Sequence, residues 1–365
     1  MGLRIGLGLG LNKQGLARFI SVDEQIQLFK QRIENDNGTF ESQGCLQDLI
    51  NQGLFDNANF VLTPNGYKAG KLYALKPENG DLDVTWVRNG NATRVNQNGL
   101  IESVGNNVPR LDYLAGNCPS ILVENQKTNL ILNSENISSS SWNKTGVTAT
   151  FFPNEINPTG ENGVYKLIAN NTNSNHRIDQ VFEANANQDY VFSFFAKKAE
   201  YSFVQVTFFG SSSRFNIQFN LKTKTFSSSN NEQNGLIDFE ITEKPNDWCF
   251  IQLKVNPANF TTFNPVVSVL DEDRNTRNPS YQGDGVSGIY LWGIQLEDFN
   301  LSSYIPTSGT AVTRPADALP PITVPSGTTE IVEALEDGTF NTITTIPSTY
   351  TIPFGRFKYI LFNGA

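Results

Sequence analysis

Histidine occurs once, at position 176, and cysteine three times, at 45, 118 and 249. A zinc centre of the HExxH type needs two imidazoles, and other common catalytic zinc sites draw at least one into a cluster, so little metal chemistry is left. The cysteines form neither a CxxC pair nor an even-numbered framework, and the expectation is three reduced, structural thiols. Carboxylates stand close in sequence at Glu240 and Glu243 and at Asp271 and Asp273. Residues two or three apart on a strand or loop do not flank a glycosidic bond at the roughly 5–9 Å that its acid–base cleavage needs. No serine stands in a GxSxG elbow, and His176 sits in NNTNSNHRIDQ, which reads as an exposed loop before a strand. Catalysis is not expected. What remains is contact chemistry: Tyr201, Phe203, Phe208 and Phe209 crowd one stretch and are candidates for an aromatic platform wherever they reach the surface.

The elements that position these residues are foreshadowed by composition. The chain has 365 residues, 38% hydrophobic and 11% aromatic, enough for a substantial core. Charged residues make up only 17% and methionine occurs once, so helices rich in Leu, Glu, Lys and Ala cannot dominate. A net charge of -9 opposes a phosphate-binding surface, and no nucleic-acid partner is expected. No run approaches 18 consecutive apolar residues, and the start MGLRIGLGLGLNKQG is broken by glycine where a secretory segment is continuously apolar. The expectation is a soluble, unprocessed chain with no membrane insertion.

At the N-terminus Leu3, Ile5, Leu7, Leu9 and Leu11 alternate with Gly2, Gly6, Gly8 and Gly10, the period of an extended strand. Glycine weakens a free-standing strand, so residues 1–15 read as an anchor arm that is ordered when another sheet edge supplies hydrogen-bond partners, with a frayed terminus as the alternative. The GLGLG run matches no nucleotide fingerprint, since no strand precedes it and no GK[ST] follows. From Ser21 the period changes. SVDE has the form of a capping box, and Val22, Ile26, Phe29 and Ile33 predict a helix from about residue 22 to 35. Cys45, Leu46, Leu49 and Ile50 predict a second one closed by Gly53. Residues 16–58 thus form a helical segment for attachment or oligomerisation, or one packed on the rest of the chain.

From about residue 59 to 314 the text is strand and turn, with runs such as YVFSFFAKK, RFNIQFNL and GIYLWGIQLE at roughly sandwich spacing. YVFSFFAKK carries large apolar groups on both faces, the mark of a central strand covered on both sides. In RFNIQFNL, Phe215, Ile217, Phe219 and Leu221 face inward, while Asn216, Gln218 and Asn220 face water or a ligand. Residues 315–326, rich in proline, read as a linker, and 327–365 as a small β region that docks on a neighbour.

The segments NATRVNQNGLIE (91–102), VPRLDY (108–113), ILVENQKTNLILNSENISSSSWNKTGVT (121–148), NDWCFIQLKV (246–255) and GIYLWGIQLEDFNLSSYIPTSGTAVTRPAD (288–317) carry a resemblance. In this order they resemble a domain of bacteriophage virion proteins of the fibre, tail and head-decoration type, over about residues 84–317. The stretch GYKAGKLYALKPENGDLDVTWVRN resembles the lead-in of virion proteins from phages of Bacteroidetes-type hosts. The resemblance implies a mainly β chain: a jelly-roll β-sandwich like that of carbohydrate-binding modules, with its core at about 120–314, beside a short N-terminal arm and helical segment and a small C-terminal β region. It implies a structural role in the virion, other virion proteins as partners, assembly as a homo-oligomer with a trimer favoured, and adhesion to host-surface glycans as a second function. A dedicated carbohydrate-binding adhesin is the alternative, and a glycan-degrading enzyme ranks behind both. The family usually carries tryptophan where Trp142 and Trp248 stand, each a core plug or a ligand-stacking ring. An acidic residue near Glu297 can join backbone carbonyls around a structural calcium in jelly-roll modules, against the plainer reading of a glutamate at a strand end. No cofactor is implied.

Overall fold

A computed structural model describes residues 8–11, 17–114, 116–209, 215–231, 235–258 and 261–364. The chain divides into two compact units, Met1–Gln126 with Pro315–Ala365, and Lys127–Arg314. Among the described residues the strands pair antiparallel throughout, and two α-helices accompany them.

The first unit is organised by a nine-stranded sheet. Gly355–Gly364 lies between Thr328–Leu335 and Ala58–Lys68, and Lys71–Lys76 follows. Side chains alternate across a strand, so these strands feed two cores. Phe60, Leu62, Ile360 and Phe362 join one with Trp86, Leu111 and Ile121. Val61, Tyr73, Tyr359 and Leu361 join the other, which the helices cover. Helix α1 (Val22–Asn35) forms because Ser21 caps it, accepting from the Glu24 N–H at 3.2 Å, and because Ile26, Phe29 and Ile33 line one face. That face can reach the sheet because position 66 is glycine: a Cβ there would stand 2.2 Å from Ile33 Cδ1. Helix α2 (Gln43–Asn51) buries Leu46 and Ile50, and Gly53 just beyond it takes a φ of +69°, the left-handed stop read from the sequence.

This unit departs from the expected segmentation. Residues 58–126 belong with the C-terminal tail, so the span 59–314 is not one β region. The segment 315–326 is no linker: Asp317 is buried between arginines, Ala318 bridges Val87, and Ile322–Thr323 pairs with Thr349–Tyr350. Proline forbids a central strand but not a buried, irregular one. The tail does not need a neighbouring chain, because Thr328–Leu335 and Gly355–Gly364 occupy the middle of the sheet. Cys45 and Cys118 form a disulfide and only Cys249 is a free, buried thiol, correcting the expectation of three thiols. Of the anchor residues, Leu3, Ile5 and Leu7 lie outside the described residues. Leu9 and Leu11 fall on the strand Gly8–Leu11, whose partner is the chain's own Ala17–Ile20.

The second unit is the expected jelly-roll sandwich. A six-stranded sheet runs in the order Val147–Ile156, Asn162–Ala169, Gly288–Asp298, Tyr190–Lys198, Trp248–Val255, Leu236–Lys244. A seven-stranded sheet includes Arg177–Asp179, Thr262–Leu270, Phe203–Phe209 and Phe215–Asn220 in adjacent order. Between them lies one core built from alternate residues of both sheets, among them Phe192, Phe194, Ile217, Phe219, Val267 and Leu291. Tyr190–Lys198 is central in its sheet and buried on both faces, as its composition predicts. Gly288 lets its strand close on the neighbour, for a Cβ there would lie 2.0 Å from the Leu167 carbonyl oxygen.

Candidate functional site

Strand register determines what the outer face of the six-stranded sheet presents. Phe192, Phe194 and Ala196 point into the core, so Ser193, Phe195 and Lys197 point out. Phe195 stands opposite Trp292 on one neighbour and Phe250 on the other. A ribbon of rings follows: Phe195 is 4.8 Å from Phe250 and 5.6 Å from Trp292, and Tyr304 packs 4.6 Å from Trp292. Gly293 makes the room, since a Cβ there would meet Phe195 at 3.2 Å and Tyr304 at 3.4 Å. Towards the sheet edge, Phe152 and Tyr290 meet edge-to-face at 5.6 Å. Trp292 (2% exposed) and Phe195 (7%) are the buried base of this face, while Phe152, Tyr290 and Phe250 are half-buried.

The ribbon has polar margins on both sides. Lys166, Tyr290 and Lys197 lie in one cross-strand row. Lys166 pairs with Glu200 at 2.5 Å and Lys197 with Glu155 at 2.7 Å, so this margin is close to neutral. Burial, with Glu155 and Glu200 nearby, pushes the Tyr290 phenol up, keeping it a neutral hydrogen-bonding group. On the other margin Gln295, Ser193, Gln252 and Glu240 share a row. Gln252 donates to Glu240, and Gln295 is held by Glu297 and by the Ile305 N–H. Ser193, Gln295 and Lys166 are themselves buried, so the surface is made by the half-buried Phe152, Tyr290, Phe250, Lys197 and Gln252 with the exposed Glu240, a set that suits a neutral, polyhydroxylated ligand offering C–H faces to the rings and hydroxyls to the polar groups.

Of the candidates named from sequence, only Trp248 shares the face of the ribbon, and it is buried there. Trp142 is 2% exposed and Trp248 fully buried; their indole N–H groups donate at 2.9 Å to the carbonyls of Asn133 and Ile156. Trp142 is a core plug, whereas Trp248 alternates with the core residues Cys249 and Ile251 and so lies on the outward side of its strand with Phe250, buried there with its N–H satisfied by backbone. Tyr201 and Phe203 are partly buried against the same core, Tyr201 edge-on to Tyr281 at 6.2 Å. Phe208 is buried too. Trp142, Trp248, Tyr201 and Phe203 therefore do not converge on one surface. The signal for the ribbon was the doubled apolar pattern of YVFSFFAKK, in which the outward Phe195 had no solvent-facing reason to be aromatic.

Glu297 does not suit a calcium ion. It is fully buried, and its oxygens accept from the Ser302 N–H at 3.0 Å, the Ser302 hydroxyl at 2.5 Å and Gln295 at 2.7 Å. Burial pushes its carboxyl above the ordinary glutamate value. Among the described residues no group of three acidic, histidine or cysteine side chains forms a metal cage. His176 is buried, not exposed, with its ring nitrogens facing the carbonyls of Gly146 and Tyr281. The sequence-adjacent carboxylates are engaged separately: Glu240 by Gln252, Glu243 by Lys224, Asp271 by Arg274, and Asp273 by Gln218 and Ser227. Among the described residues no helix is long and apolar enough to cross a membrane.

No protein-family model matches the chain. No curated protein matches it in sequence. Among solved structures it is similar to the enzymatically active domain of tailspike protein 4 from bacteriophage CBA120, at 14% identity and a TM-score of 0.28, over 46% of this chain and 22% of that one. The family-22 carbohydrate-binding and family-10 catalytic modules of a Clostridium thermocellum endo-1,4-β-D-xylanase, complexed with xylohexaose, match at 11% and 0.28, over 49% of this chain and 30% of that one. A carbohydrate-binding module from Cellvibrio mixtus lichenase 5A, in complex with cellotriose, matches at 10% and 0.25, over 47% of this chain and 99% of that one.

Proposed function

We propose that the chain is a structural component of a bacteriophage virion whose 127–314 sandwich also contacts neutral glycans of the host surface. The ring ribbon Phe152–Tyr290–Trp292–Phe195–Phe250 with its polar margins carries the glycan half of this reading. The virion half rests on the resemblance of the segments between residues 84 and 317. The hairpin Gly8–Leu11 with Ala17–Ile20 is assigned the attachment role, and other virion proteins and further copies of this chain, three in the favoured assembly, are its partners. Weak single sites then act together through many copies on one particle.

Binding and assembly, not catalysis, are proposed, and the separate engagement of Glu240, Glu243, Asp271 and Asp273 supports that choice. Retention of the full chain on host-surface polysaccharide, weakened by Tyr290→Ala and Phe250→Ala, tests the glycan role. Incorporation of a chain lacking residues 2–15 tests attachment: the truncated protein is expected to fold and to be missing from particles. Its normal incorporation would defeat the attachment role.

A further inference from the structure

The outer face of the seven-stranded sheet is built unlike the first. Val204, Val206, Ile217 and Val267 point into the core, so Gln205, Thr207, Gln218 and Ser268 point out, together with Asn216. Register aligns Gln218, Gln205 and Ser268 across three strands, and Asn216 with Thr207 in the next row. Sequence reading leaves Asn216 and Gln218 to water or a ligand, yet Gln218, like Gln205 and Thr207, has no exposed surface and Asn216 is 3% exposed.

What covers them is the loop 271–280, DEDRNTRNPS, whose one apolar residue is Pro279. Its contacts with the face are polar. Gln205 donates to the Thr276 carbonyl at 2.9 Å and accepts from the Asn278 N–H at 2.8 Å. Ser268 and Thr207 donate to Asn278 Oδ1 at 3.2 and 3.4 Å. Gln218 donates to Asp273, and Arg277 donates to the Phe208 carbonyl at 2.7 Å. A cover meant to be permanent gains more by burying apolar surface than by exchanging one set of hydrogen bonds for another. Asn278 sits at a φ of +47°, the left-handed region that asparagine enters more readily than most residues. Asn216 Nδ2 in the same row is buried without a partner, so the strap's hydrogen bonds do not satisfy every amide of the face.

We propose that this amide row is a second glycan-contact face, closed in the free protein by the strap 271–280. A polyhydroxylated chain opens it by supplying, from its own hydroxyls, the hydrogen bonds that Thr276, Asn278 and Asp273 now make, and one more to Asn216. The proposal shares a ligand class with the first face but no residue, so the two fail separately.

The test uses the full chain and four soluble hexasaccharides, of glucose in β-1,4 and β-1,3 linkage, of xylose and of N-acetylglucosamine. Asp273→Ala with Arg277→Ala loosens the strap while leaving the amide row intact. This variant is expected to bind at least one hexasaccharide about tenfold more tightly than the native chain, because the closed population no longer competes. The gain should persist when Tyr290→Ala is added. In the native chain the same sugar should speed amide hydrogen exchange across 272–280. Equal affinity of the native and loosened chains, loss of all binding with Tyr290→Ala, or no binding by a loosened chain that melts as a folded protein would each overturn the proposal.

Discussion

Arg88 Nη1 lies 2.9 Å from Asp317 Oδ1, both side chains fully withdrawn from water and 229 positions apart in sequence. Arg110 takes the other oxygen of Asp317 and pairs with Glu124 at 2.5 Å, while the Glu124 N–H donates to Asp317 at 2.9 Å. The returning chain is thereby fastened inside the first unit at the point where it comes back from the sandwich.

Removing the shared carboxylate leaves two buried guanidinium groups without their common partner. Asp317→Ala is expected to cost about 3–5 kcal/mol, the usual penalty for breaking a buried pair from one side. Urea denaturation of the full chain measures it, and a loss below about 1 kcal/mol would show that water reaches the arginines.

Cys45 and Cys118 close a loop of 73 positions. The chain-entropy model assigns such a loop about 4 kcal/mol, so reduction or Cys45→Ala should lower the melting of the first unit and leave that of the sandwich in place. Thiol titration in denaturant is expected to find one thiol, Cys249, before reduction and three after it. Three thiols in air-handled protein would contradict the pairing.

Half-buried and buried rings of the ribbon should separate by phenotype. Tyr290→Ala and Phe250→Ala are expected to weaken glycan retention about tenfold with a small change in stability. Phe195→Ala, at a buried position, should cost about 3–5 kcal/mol of sandwich stability. Equal retention by all three variants would remove the ribbon from the binding reading.

Glu135 accepts a hydrogen bond from Tyr304 at 2.9 Å, and burial pushes its carboxyl above the ordinary glutamate value, with Glu161 adding to the effect. An acid with a raised folded value contributes its stability in full below the unfolded value and loses it as pH climbs through the folded one. The sandwich should therefore lose stability as pH rises from about 4.5 towards neutrality, the span starting at the ordinary glutamate value. Glu135→Gln, which keeps an acceptor for Tyr304, should flatten that slope and raise stability at pH 7. Denaturation midpoints across pH for both chains decide it, and identical slopes would discard Glu135 as the source.

Much of the local structure was legible in the residues. Ser21 with Glu24 and the recurrence of Ile26, Phe29 and Ile33 mark α1 at the bounds it adopts, because a cap and a 3.6-residue period are properties of neighbouring residues. The β-rich composition and the strand Tyr190–Lys198, apolar on both faces, follow from the same kind of local signal. Roles that depend on what lies above a side chain were not legible. Trp142 reads as plug or platform until its burial in the core is seen, and Gln218 of RFNIQFNL looks solvated until residues 271–280 lie over it.

The sequence by itself determined the two helices and the alternation of the strands, since each is written in side-chain types at short spacing. Only the tertiary structure decided that Pro315–Ala365 rejoins Met1–Gln126, that Cys45 meets Cys118, and that Phe195 stands between Trp292 and Phe250. The physical reason is the same in each case. Antiparallel pairing joins segments far apart in the chain, and the free energy that selects one partner over another comes from the core both strands bury, not from either strand alone.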